Sequence, residues 1–156
     1  MSKLQGARVA REGKNAQPSE VPDLRTVRID IPGTTFRSPN KQVWSGGAAL
    51  SAGSSRKRMR SQVAICVRAH LHELPKSHYD RRGLLATVRA TLVRISSRPF
   101  DDDNFVASAK PARDAVADAF GLRDDSPLLS FSYRQERTAP GRKWTTGLIV
   151  YLEPAA

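Results

Sequence analysis

The chain has 156 residues, with 26 Lys+Arg against 15 Asp+Glu, a formal net charge of +11 and one cysteine. That length suits one domain able to bury its own core. A lone Cys66, set in an apolar run and read as a small buried residue, excludes a disulfide framework and any zinc site built on cysteine pairs. No apolar run approaches the ~18–20 residues of a membrane span, and the N-terminus lacks the apolar core of a signal peptide, so a soluble, cytoplasmic protein is expected. Nineteen of the cations are Arg, whose planar fork grips phosphate, and a field of this sign favours a polyanion, most simply nucleic acid. Aromatics at 6% are too sparse for a base-stacking platform.

Residues 1–24 show no sustained period and read as a flexible tail, leaving 25–156 as the folded domain. Arg25–Ile31 alternates polar with apolar and stops at Pro32-Gly33, which predicts a strand. Thr34–Ser55 is rich in Gly, Ser, Pro and Asn and is expected to be a long loop anchored by Trp44. A helix is predicted from Arg56 to about Glu73, with Met59, Val63, Val67 and Leu71 four apart on its buried stripe. Arg56, Lys57, Arg58 and Arg60 would then crowd its N-terminus against the macrodipole, which favours contact with DNA phosphates over a purely structural role. His70, His72 and His78 lack metal-ligand spacing and read as surface residues.

Leu84–Ile95 is the longest predicted strand. Leu84, Ala86, Val88, Ala90, Leu92 and Arg94 fall on one face, and Thr87, Arg89 and Thr91 on the other. A helix follows over Asn104–Phe120, with Phe105, Ala109, Ala112, Val116 and Ala119/Phe120 buried, a kink or start at Pro111, and Gly121 as its C′ residue. Strands over Leu128–Glu136 and Thr145–Leu152, joined by the turn Thr138–Lys143, end the chain. This order predicts an α+β fold: a mixed or antiparallel sheet with two main helices packed on one face.

The acids are unevenly placed. Seven of the fifteen, all Asp, lie between Asp101 and Asp125, where Lys110, Arg113 and Arg123 leave a local charge of −4 against +15 on the remainder. An acidic window in a basic protein repels DNA unless a divalent cation neutralises it, and hard cations take two or three carboxylates while keeping waters and phosphate oxygens. At a strand end Asp101 and Asp103 would point to one side. Asp124-Asp125 could join them if the intervening helix folds back over the sheet, and Lys110 would then lie in the same region, able to stabilise phosphate charge. Blander readings compete: an N-cap run at Asp102-Asp103-Asn104, an i,i+4 surface pair of Lys110 with Asp114, and an ordinary turn at Asp124–Pro127.

Asp101-x-Asp103-Asn104, Lys110-x-x-x-Asp114-Ala115 and Asp124-Asp125-Ser126 together resemble the signature of the RusA-like Holliday junction resolvases, small endodeoxyribonucleases often encoded by phages and prophages. The likeness covers about Arg98–Ser132. It implies that Asp101, Asp103 and Asp125 bind Mg²⁺, or Mn²⁺ in its place, with Asp124 as an auxiliary acid and Lys110 as the catalytic lysine. It further implies homodimers that cut four-way DNA junctions in bacterial or phage-infected cells. Five residues separate Asn104 from Lys110, three more than in the best-known member, which places the lysine one helical turn along. Two other readings stay open: a non-catalytic DNA-binding module, and a nuclease acting on flaps or forks.

Overall fold

The computed structural model describes residues 26–37, 46–74 and 87–155. The expected tail, Trp44, His78 and Leu84–Ala86 lie outside the described residues, and so does Arg25. Among the described residues four strands and three α-helices follow one another: β1 Val27–Pro32, α1 Gly46–His70, β2 Val88–Ser96, α2 Asp102–Ser108, α3 Lys110–Ala119, β3 Leu129–Arg137 and β4 Gly147–Pro154. A short 3-10 turn, Leu71–Glu73, extends α1.

The sheet order is β1-β4-β2-β3. β4 runs antiparallel to both β1 and β2, whereas β2 and β3 are parallel, joined by the α2–α3 crossover. The fold is thus α+β on a mixed sheet. β3 and β4, consecutive in sequence, are not neighbours, because the Thr138–Thr146 connection carries the chain past β2. The burial of β2 explains its central place. Val88, Ala90 and Leu92 face the helices, while Val93 and Ile95 are buried on the opposite face. The alternation over Val88–Thr91 gives way from Leu92 onward to a run buried on both faces.

The main core lies between the sheet and the helices. Ile29, Ile31, Leu92, Leu148, Val150 and Leu152 meet Met59, Val63 and Val67 of α1, Phe105 of α2, and Ala112, Ala115 and Val116 of α3. The second cluster, Val93, Ile95 and Ile149, is roofed by Trp144 and Tyr151. Gly147 permits that roof, since a Cβ there would meet the Trp144 ring at 2.5 Å. Cys66 is a free thiol, half-buried rather than fully enclosed, and burial pushes its pKa up from the ordinary value.

Two helix boundaries differ from the sequence reading. α1 begins at Gly46, so Arg56–Arg60 lie ten and more residues inside the helix rather than at its start. Extending an established helix costs little per residue, even through the Gly- and Ser-rich stretch. The macrodipole argument therefore does not apply to these cations. The predicted Asn104–Phe120 helix is two helices meeting at Ala109, because Pro111 has no N–H to continue the first. It sits instead in the first turn of α3, where that N–H is not needed. At the far end Gly121 takes φ 68°. Its N–H reaches the Asp118 carbonyl at 3.1 Å and the Leu122 N–H reaches Ala117 at 2.9 Å, a Schellman closure.

Candidate metal centre and nucleic-acid interface

β2 ends at Ser96, so Asp101 is not at a strand end but at the N-cap of α2, with Asp102 and Asp103 in the first helical turn. Acids favour that end of a helix because its N–H groups carry partial positive charge. The Asp101 side chain caps no backbone N–H. It accepts a long bond, 3.4 Å, from Asn104 Nδ2, while its carbonyl takes the Phe105 N–H at 2.9 Å. Asp101, Asp102 and Asp103 are all exposed. Phe105, buried at 1% exposure, anchors this turn edge-on to Phe36 and Tyr133.

Beneath the turn lies a pair absent from the sequence-derived site. Arg94 of β2 and Gln135 of β3 are register partners. Arg94 is only 6% exposed, and its Nη1 donates to Gln135 Oε1 at 2.9 Å and to the Arg98 carbonyl at 3.0 Å. Its guanidinium stacks 3.8 Å over the Phe100 ring. Burial lowers the Arg94 pKa from its ordinary value, yet an Arg remains charged at neutral pH. Gln135 in turn donates from Nε2 to Asp102 Oδ1 at 3.3 Å. The one sequence signal was Arg94 on an otherwise apolar face.

Asp124 and Lys110 belong to a different cluster. Lys110 Nζ donates to Asp114 at 3.1 Å and to Asp124 at 3.4 Å, and Arg113 donates to Asp124 at 2.7 Å. The bond to Asp114 raises the Lys110 pKa above its ordinary value. The Arg113 bond holds the Asp124 carboxyl below its ordinary range. Asp125 pairs with Arg123 at 3.0 Å. The helical segment does return over the sheet, but it does so in a parallel crossover. Asp124-Asp125 therefore precede the start of β3, while Asp101–Asp103 follow the end of β2. Among the described residues no group of three or more His, Cys, Asp or Glu side chains is gathered as a metal-binding set. The pair Asp101 and Asp103, exposed on one turn, suits a hard cation that keeps waters and phosphate oxygens.

Arg56, Lys57, Arg58 and Arg60 are exposed along α1. Arg60 is tied to Asp118 of α3, with Nη2 to Oδ2 at 2.6 Å, and this bond raises its pKa. Arg68, Ile65 and Ser61 continue the same surface and line a shallow cavity of about 300 Å³ with Arg60 and Asp118. His72 is exposed, and His70 is partly buried with its ring nitrogen 2.7 Å from the Cys66 carbonyl. No helix among the described residues is long and apolar enough to cross a membrane. A comparison with protein-family models finds no match to this chain, and a comparison with curated proteins finds none either.

Proposed function

We propose that this chain is a divalent-cation-dependent endodeoxyribonuclease acting on branched DNA, of the Holliday junction resolvase type that its Asp101–Ser126 run resembles. The observation that carries this reading is the exposed Asp101-Asp102-Asp103 turn at the start of α2, on a chain that is otherwise strongly basic. Asp101 and Asp103 would hold Mg²⁺, with Mn²⁺ able to replace it. When bound, the cation would supply an activated water and neutralise charge on the scissile phosphate. The resemblance adds Asp125, with Asp124 beside it, and Lys110 as a charge-stabilising group. Arg56, Lys57, Arg58 and Arg60 would grip flanking phosphates without reading sequence. A homodimer working on a four-way junction is part of the same proposal.

A second reading, a non-catalytic DNA-binding module, draws support from the ion pairs that occupy Asp114, Asp118, Asp124 and Asp125. One experiment separates the two. A synthetic four-way junction, a flap, a fork and matched duplex are each incubated with the protein in Mg²⁺ or in EDTA. Symmetric cutting of the junction in Mg²⁺ alone is the expected result. Preferred cutting of flaps or forks would reassign the substrate. Binding without cutting in every metal would leave the module, and full cutting in EDTA would remove the cation from the mechanism.

A further inference from the structure

We infer that Gln135, seated on Arg94, is a positioning residue for the acidic turn, an inference that rests on the nuclease reading of Asp101 and Asp103. Both ends of the Gln135 carboxamide are fully used. Oε1 accepts from Arg94 Nη1 and from the Phe100 N–H, each at 2.9 Å. Nε2 donates to the Phe100 carbonyl at 2.9 Å and to Asp102 Oδ1 at 3.3 Å. The Phe100 N–H and carbonyl, facing opposite ends of the amide, leave it one orientation. One side chain from β3 thus holds the residue before Asp101 by its backbone and the residue after it by its side chain.

Arg94 locks the other side of the same segment. It donates to the Arg98 carbonyl, which also accepts the Ser96 hydroxyl at 2.7 Å, and its guanidinium packs on Phe100. No ion pair to Arg94 forms among the described residues, although the side chain is buried. A buried guanidinium with carbonyl and amide partners in place of a carboxylate is costly to keep. The pair therefore fixes the backbone at Arg98 and Phe100 and holds the Asp102 side chain. Catalytic geometry tolerates displacements of only a fraction of an ångström, which is the service a rigid support of this kind supplies.

Gln135→Glu is the informative variant. It keeps the shape and strengthens the contact with Arg94, but it loses both Nε2 donors and sets a carboxylate against Asp102. Gln135→Leu removes all four bonds. The experiment measures thermal melting, amide hydrogen exchange over residues 98–105 without metal, Mn²⁺ binding by electron paramagnetic resonance, and the Mg²⁺ concentration for half-maximal junction cutting. Expected for Gln135→Glu are a melting temperature close to wild type, exchange over 98–105 faster by tenfold or more, and a cation requirement raised by tenfold or more, with cutting recovered at high Mg²⁺. Gln135→Leu should show the same exchange and cation effects. Unchanged exchange and unchanged Mn²⁺ affinity in both variants would overturn the inference. If wild-type protein cuts no branched DNA, the nuclease reading fails, and exchange together with Mn²⁺ binding still decides whether Gln135 positions the turn.

Discussion

Arg113 of α3 donates to Asp124 at 2.7 Å, and this bond fastens the loop before β3 to the helix that precedes it. Lys110 shares the same carboxylate from one helical turn away. Lys110, Arg113, Asp114 and Asp124 thus form an acid–base cluster built on α3 and its return loop. Whatever Asp124 does for DNA, it also serves the fold.

That dual role has a pH signature. The Arg113 hydrogen bond, followed by the nearby Lys110 charge, holds the Asp124 carboxyl below its ordinary value of 3.8. A depressed folded-state pKa contributes stability at pH above the unfolded value and loses it as pH falls through the folded one. Asp124→Asn should lower the urea midpoint at pH 7, and the gap from wild type should close as the pH falls below 3.8. A gap independent of pH would mean that the Arg113–Asp124 pair adds no charge-dependent stability.

Asp101→Asn and Asp103→Asn should each abolish junction cutting while leaving junction affinity equal or higher, since each removes charge that repels phosphate. Asp118→Asn, whose acid only pairs with Arg60, should cut at close to the wild-type rate. Asp125→Asn should also lose cutting, and Lys110→Ala should lose about 10²-fold or more, the scale for removing one charge-stabilising group. Gel assays of cutting and binding on the same junction read all five variants. Near-normal cutting by Lys110→Ala would confine that lysine to the Asp114–Asp124 cluster.

Salt should weaken DNA binding steeply, because each phosphate neutralised releases a condensed counterion and adds about 0.9 to the slope of log K against log salt. Replacing Arg56, Lys57, Arg58 and Arg60 together with Ala should flatten that slope by up to about 3–4. Fluorescence anisotropy across a salt series measures it. Arg60 should contribute least, since Asp118 already engages it, and an unchanged slope would show that this stretch of α1 faces only solvent.

Phe105 joins the turn to the core, being 1% exposed between Phe36 and Tyr133. Phe105→Ala should destabilise the fold by about 3–5 kcal/mol, the range for deleting a buried ring. Denaturant unfolding tests this. A loss under about 1 kcal/mol would mean that the neighbouring rings collapse into the space.

The sequence by itself determined much of the core between helices and sheet, though Leu71, Ala119 and Phe120, read as buried, are only partly so. Alternation marked Val88, Ala90 and Leu92 as inward-facing. Four-residue spacing did the same for Met59, Val63 and Val67, and all six are buried. Gly121 was legible as a helix stop because only glycine takes φ 68° freely. Local chemistry also gave the exposed acidic run and the break at Pro111. Strand order was not legible, because hydrogen-bonded neighbours are chosen by packing across the whole sheet. β4 enters between β1 and β2, and nothing in the Thr138–Lys143 turn announces it. Long-range partners were equally hidden: Gln135 lies 33 residues from Asp102, and only the parallel register of β2 with β3 makes them touch. The bond of Asp124 to Arg113 likewise comes from how the return loop folds back along α3. Nearness in sequence reports local geometry, whereas the distance between two acids on either side of a crossover is decided by the strand pairing that closes it.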